Sequence, residues 1–140
     1  MSKQIFISFD FEHDRNYAFL LKAMAKNRQF KIDFKDRTPK EIQSNDFGRI
    51  NAVLTQRLKE ATHILVVVGK HANDPHLKRG EIGEVNWQTW ELEKAKELGK
   101  GVVAVKIEPS NDSMPGLMRI GAKWAMSFNA DFIAQALNEA

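Results

Sequence analysis

VNWQTWELEKAKELGKGVVAVK, residues 85–106, reads as a helix running through a glycine turn into a buried strand. At about 3.6 residues per turn, Trp87, Ala95 and Leu98 share one face of that helix, with Trp90 and Leu92 at its margins. Gly99 stops the helix, and the run of valines after Gly101 suits a strand covered on both faces. Glu91 projects near the middle of the apolar stripe, whereas Glu93 points to the opposite, solvated side. A carboxylate there is costly to bury unless it is paired or protonated. A partner arginine or lysine, a helix end open to water, or the helix N-terminus would each account for it structurally. The functional alternative is a carboxylate placed in a partly apolar cleft to stabilise positive charge or take a proton.

The same alternation of strand and helix continues outward in both directions. QIFIS (4–8) is a short apolar strand, and residues 14–26 carry Tyr17, Leu20, Leu21 and Met24 at helical spacing with Asp14 as the expected N-cap. FKIDF (30–34) alternates as a strand covered mainly on one face, and a polar segment follows to about residue 48. Ile50, Val53, Leu54 and Leu58 mark a second helix over 49–60, and HILVVV (63–68) is the strongest buried strand. Residues 69–84 read as a loop, helix three covers 85–98, and strand four covers 101–107. A short fifth strand is expected at 123–128 and a closing helix at 131–137.

This order predicts a single α/β domain over residues 1–140, a flavodoxin-like three-layer sandwich with a five-stranded, mostly parallel sheet in the order 2-1-3-4-5. The first strand runs into SFDFEHD and not into a GxGxxG turn, which argues against a dinucleotide-binding Rossmann order. Ligands of such sheets bind beyond the carboxyl ends of the strands. Here those ends are Phe9 to Asp14, the segment after Phe34, and Gly69 to His71, with the start of the Glu91 helix at the same edge.

Composition narrows the class further. The chain has 140 residues, 43% hydrophobic and 28% charged, with a net charge of +3. These are values of an ordinary globular domain with a core of its own. Basic residues are scattered, which favours a solvated surface over a nucleic-acid interface. No apolar run approaches the roughly 18 residues of a membrane span, and the start goes straight into a strand without a signal-peptide pattern. A cytoplasmic protein is expected. The absence of cysteine removes disulfides, thiolate metal sites and cysteine nucleophiles.

Several familiar chemistries fail on particular positions. Asp10, Glu12 and Asp14 resemble the magnesium-binding acids of a phosphoacceptor receiver domain, but strand three ends VVVGKH, with no aspartate to take the phosphate. His71 and His76 lie five apart in a proline-containing loop, and His13 and His63 are distant in sequence, so no metal site is expected. Neither a G-x-S-x-G elbow nor a phosphate-binding lysine loop occurs. Phe9, Phe11, Trp87 and Trp90 lie near the expected ligand edge, where aromatic rings pack in the core or stack on a planar ligand.

FISF, followed by an acidic aromatic loop and Asp14, resembles the opening strand and first loop of Toll/interleukin-1 receptor (TIR) domains. ILVVVGKH resembles strand three of the bacterial TIR-like group. W-x-x-W-E-L-x-x-A-x-x-x-G-K-x-V-V-x-V, from Trp87 to Val105, is similar to the family signature in which a tryptophan precedes the catalytic glutamate by four residues. The segment after FKIDF occupies the place of the family's BB loop. HANDPHLKRGEIGEVN (71–86) is longer than the loop common there. The resemblance spans nearly the whole chain and is nearest to stand-alone bacterial TIR-like proteins, which include signalling components of Thoeris anti-phage defence.

That resemblance implies cleavage of the nicotinamide–ribose bond of NAD, to ADP-ribose or a cyclic ADP-ribose-type messenger. It puts the catalytic glutamate at Glu91. Phe9, Asp10, Phe11 and Trp87 are the residues expected to line the substrate pocket. NAD enters as substrate, and no cofactor or metal is implied. Self-association on activation and a downstream effector that senses the product are the expected partners. A non-enzymatic TIR-like interaction module is the main rival, and a nucleoside deoxyribosyltransferase relative is a further one.

Overall fold

The run HILVVV becomes β3, His63–Val68, the central strand of the sheet, and all of its residues after His63 are buried. A β-branched strand of this kind needs helices over both its faces, and the chain supplies them. The computed structural model describes residues 3–26, 33–35 and 47–140; the side chains at 11, 26 and 33–35 lie outside that description. The strands are β1 (Gln4–Ser8), β2 (Asp33–Lys35), β3, β4 (Gly101–Lys106) and β5 (Lys123–Ala125). The helices are α1 (Phe11–Lys26), α2 (Phe47–Glu60), α3 (Arg79–Ile82), α4 (Trp87–Glu97) and α5 (Ala130–Glu139), with a 3-10 turn at Pro115–Leu117.

The strands pair in the order β2-β1-β3-β4-β5, each neighbouring pair parallel. Successive side chains of a strand alternate between faces. Ile5, Ile7, Leu65, Val67, Val103 and Val105 therefore form one core with Leu21 of α1 and Ile133 and Leu137 of α5. Phe6, Ile64, Val66, Val68 and Ala104 form the other with Leu54 and Leu58 of α2 and Leu92 and Ala95 of α4. Ser8 lies two residues beyond Phe6, so its side chain faces the α4 layer. This parity brings Ser8 under Glu91.

Several expected boundaries shift. The first helix begins at Phe11 rather than Asp14, and its cap is Asp10: the Asp10 Oδ1 accepts from the backbone N–H groups of Glu12 at 3.0 Å and His13 at 3.2 Å. Asp14 lies inside the first turn, which a pattern of apolar spacing alone does not reveal. Leu20, expected in the core, is exposed, while Ala18 and Leu21 carry the buried stripe. The expected strand over 30–34 is seen at Asp33–Lys35, with residues 30–32 outside the description. Most of the polar segment from 35 to 48, including the place of the BB loop, is also outside it. The loop over 69–84 contains α3, and the last strand is confined to Lys123–Ala125.

Candidate active site

Asn86 sets the start of α4. Its side-chain oxygen caps the helix by accepting from Thr89 N–H at 2.8 Å. Its Nδ2 donates to Ala72 O at 2.9 Å and Asp74 O at 3.0 Å, tying the loop after β3 to the same point. From that start α4 buries Gln88, Glu91, Leu92 and Ala95 at spacings of three and four. The buried stripe is rotated from the one expected: Trp87 and Leu98 are only half-buried. Two polar residues, one helical turn apart, thus face the ends of β1 and β3.

Glu91 is 1% exposed. Ser8 Oγ donates to its Oε1 at 2.7 Å, and Oε2 has no partner among the described residues. Burial pushes the carboxyl up to about 8, against a smaller downward pull from the Ser8 hydrogen bond. Among the described residues none of the three structural explanations applies. No basic side chain pairs with it among the described residues, the helix position is closed to water, and Glu91 is the fifth residue of α4. Lys94, on the next turn, instead pairs with Glu97 at 3.2 Å and lies over the Trp90 ring.

Gln88 is 4% exposed and clasps the strand ends. Its Nε2 donates to Val67 O at 2.7 Å and Ser8 O at 3.2 Å. Ser8 therefore contacts both residues, with its hydroxyl on Glu91 and its carbonyl on Gln88.

These groups open onto a cleft of about 420 Å³ lined by Phe9, Asp10, Glu12, His13, residues 74–77, Asn86, Trp87, Gln88 and Glu91. Trp87 stands on one side, stacked at 5.9 Å against Phe47 and edge-on at 5.7 Å to Trp90. The rings of His13, which lines the cleft, and His71 stack at 3.6 Å. Each ring nitrogen Nδ1 meets a carboxylate, His13 with Asp10 at 3.1 Å and His71 with Asp74 at 2.7 Å. Asp14 is buried and its carboxyl raised, first by that burial and then by the Asp10 charge, with His71 and His13 pulling it down. Gly69 makes room for Asp14: a Cβ at Gly69 would come within 2.2 Å of its Oδ2. No cluster of three or more metal-binding side chains occurs among the described residues.

Glu91 stands four residues after the cleft-lining Trp87 on the helix before β4, and that interval is the one the TIR signature carries. The family model for the TIR-like domain of the Thoeris protein ThsB matches residues 6–112. The chain belongs to this family. Among solved structures, a prokaryotic SEFIR domain is similar over 99% of this chain and 95% of its own, at 14% identity and a TM-score of 0.58. A 2-deoxyribosyltransferase from Bacillus psychrosaccharolyticus is similar over 92% of this chain and 90% of its own, at 17% identity and a TM-score of 0.56. At such identities the likeness is one of fold. No curated protein matches the chain in sequence.

In this TIR-like domain the cleft brings together Glu91, Trp87, Phe9 and Asp10, four of the five residues named from sequence. Phe9 is largely core, and Asp10 caps α1 while lining the cleft. Phe11 begins α1, and its side chain lies outside the description. Ser8, Gln88 and Asn86 were missed. Gln88 was legible as the residue one turn before Glu91 on the same face; Ser8 and Asn86 carry no local signal of their partners. No helix among the described residues is long and apolar enough to cross a membrane.

Proposed function

We propose that this TIR-like domain cleaves the bond between nicotinamide and ribose in NAD, releasing nicotinamide and forming ADP-ribose or a cyclic ADP-ribose-type signal. The observation that carries the reading is the Glu91 carboxyl, closed to solvent beside a cleft and hydrogen-bonded only by Ser8 among the described residues. Burial without a counter-charge opposes folding, so a purely structural module gains nothing from this group. An enzyme acting on a cation does gain from it.

The nicotinamide ring of NAD is a cationic pyridinium. Near neutral pH the empty site favours the protonated carboxyl. A positive ring close by favours the carboxylate instead, so substrate binding opposes the effect of burial. As the C1′–N bond breaks, its electron pair goes to the pyridine nitrogen and nicotinamide leaves neutral. The sugar acquires oxocarbenium character, which a preorganised carboxylate stabilises. Water adds at C1′ and releases a proton to give ADP-ribose, or a group of the adenosine half attacks to close a ring. This sequence needs no cofactor or metal, with NAD as substrate.

Trp87 offers an aromatic surface for the departing ring. The cleft lining contains no lysine or arginine among the described residues, whereas the NAD diphosphate is dianionic. Self-association on activation belongs to this reading, in which a second copy of the chain brings basic groups to the diphosphate. In this reading the protein is a cytoplasmic anti-phage signalling enzyme whose product is sensed by a downstream effector.

The test is chromatographic detection of nicotinamide from NAD incubated with concentrated protein, wild type beside Glu91→Gln, with nucleosides as parallel substrates. Release by wild type alone supports the reading. Equal release by both variants would sink the role of Glu91. Base release from 2′-deoxynucleosides and not from NAD would favour the transferase rival, and no release under crowding would favour an interaction module.

A further inference from the structure

Gln88 has one polar atom that the fold does not use. Both hydrogen bonds of its amide go to carbonyl oxygens, Ser8 O and Val67 O, and only the NH₂ end can donate to them. The amide orientation is thereby fixed, and Oε1 is turned away from the strand ends. Oε1 is buried and has no partner among the described residues. Glu91 Oε2, one helical turn further on, is in the same condition. Ser8 has already given its single hydroxyl proton to Oε1 of Glu91. Two oxygens without partners among the described residues thus lie on residues one helical turn apart on α4, both of which line the cleft, and both are acceptors once Glu91 is ionised. Leaving such atoms dry is costly, so a ligand that supplies two adjacent hydroxyl donors is favoured there.

We propose that Gln88 Oε1 and Glu91 Oε2 together receive the two hydroxyls of a ribose vicinal diol, making Gln88 a positioning residue that selects ribosides over deoxyribosides. This inference rests on the proposed NAD-cleaving role of the same cleft and extends it to sugar selection. Each acceptor takes one hydroxyl. Gln88 holds its oxygen still because its amide is pinned at two points to the sheet. The sugar is thereby oriented, with the carboxylate left near the anomeric carbon.

The experiment compares NAD with its analogues lacking the 2′- or the 3′-hydroxyl on the nicotinamide ribose, for wild type and for Gln88→Met. A site built to bind a hydroxyl discriminates strongly against an analogue that lacks it, so wild type should disfavour each analogue by about 100-fold or more in kcat/KM. Gln88→Met keeps the side-chain length and removes the acceptor, together with the two bonds donated to Ser8 O and Val67 O. It should lower the penalty for one analogue to within about tenfold and leave the other intact, because the Gln88 acceptor is gone and the Glu91 acceptor stays. A merely structural role would slow all three substrates alike. Retention of both penalties in the variant, or their absence in wild type, overturns the proposal.

Gln88→Lys keeps a donor for the two carbonyls and replaces the methionine variant if thermal melting shows that it does not fold. If wild type releases no nicotinamide, calorimetric titration with ADP-ribose and its two deoxy forms decides the point. A diol preference that Gln88→Met halves to one hydroxyl upholds the sugar assignment while the cleavage reading fails. Equal affinities, or no binding, overturn it.

Discussion

Ser8 Oγ and Glu91 Oε1 are 2.7 Å apart across 83 residues of sequence, joining the end of β1 to the middle of α4. The bond favours the ionised carboxyl, and burial disfavours it more strongly. Glu91 is therefore held close to its point of ionisation near neutral pH, where a cationic ligand has most leverage.

Replacing Glu91 by Gln should remove nicotinamide release by about 100-fold or more, the scale on which loss of a preorganised electrostatic group acts. The fold should persist, since the amide oxygen still accepts from Ser8. Far-ultraviolet circular dichroism alongside the chromatographic assay checks both halves.

Glu91 also makes stability depend on pH. Its folded value, about 8, lies above the ordinary 4.5, so the folded state binds the proton more tightly. Its favourable contribution is fully present below pH 4.5 and is lost as pH rises through about 8. Asp14, also raised, acts in the same direction. Melting temperature measured from pH 5 to pH 9 should fall in wild type by more than in Glu91→Gln; parallel curves would contradict this account.

In the proposed mechanism the ionised carboxylate is the working form. The kcat/KM profile for NAD should accordingly rise toward pH 8 and level off above it. Ser8→Ala removes the bond that favours the carboxylate and should move that rise to higher pH. An unshifted profile in Ser8→Ala would show that the Ser8 bond does not tune the group.

Asn86→Ala removes a helix cap and two loop anchors at once. Loss of the cap alone costs about 0.5–2 kcal/mol. Chemical denaturation should show a loss at or above the upper end of that range, and KM for NAD should rise because the loop over residues 74–77 borders the cleft.

Gly69→Ala places a methyl group 2.2 Å from Asp14 Oδ2, so the Asp14 side chain or the backbone must shift. Overpacking of this kind costs roughly 1–3 kcal/mol. Gly69→Ala combined with Asp14→Ala should recover part of the loss, a coupling that a double-mutant cycle measures.

Much of this was legible before any coordinates. The periods of QIFIS, HILVVV and GVVAVK identify strands, and the helical spacing between them dictates crossovers and a parallel sheet. Glu91 stands out because a carboxylate interrupts an apolar stripe, and the interval from Trp87 selects the same residue. The rotation of α4 was not legible. Trp87 and Leu98 are more apolar than Gln88, yet Gln88 is the more deeply buried, because two carbonyls at the strand ends await its donors. The α1 cap was misplaced for a similar reason: Asp10 and Asp14 are equally suited by type, and only the turn geometry after β1 chooses between them.

The sequence by itself thus determined the order of the elements, the layers, and the presence of one acid on a buried face. These depend on local periodicity, which records whether a side chain faces inward. The tertiary structure decided what each inward side chain meets. Ser8 reaches Glu91 because β1 pairs in parallel with β3, Ser8 opposite Val66, and α4 packs over that face. Register and helix rotation are set by the whole core at once, so no local stretch encodes them. The raised carboxyl of Glu91 follows from the same assembly, since its environment comes from segments far apart in the chain.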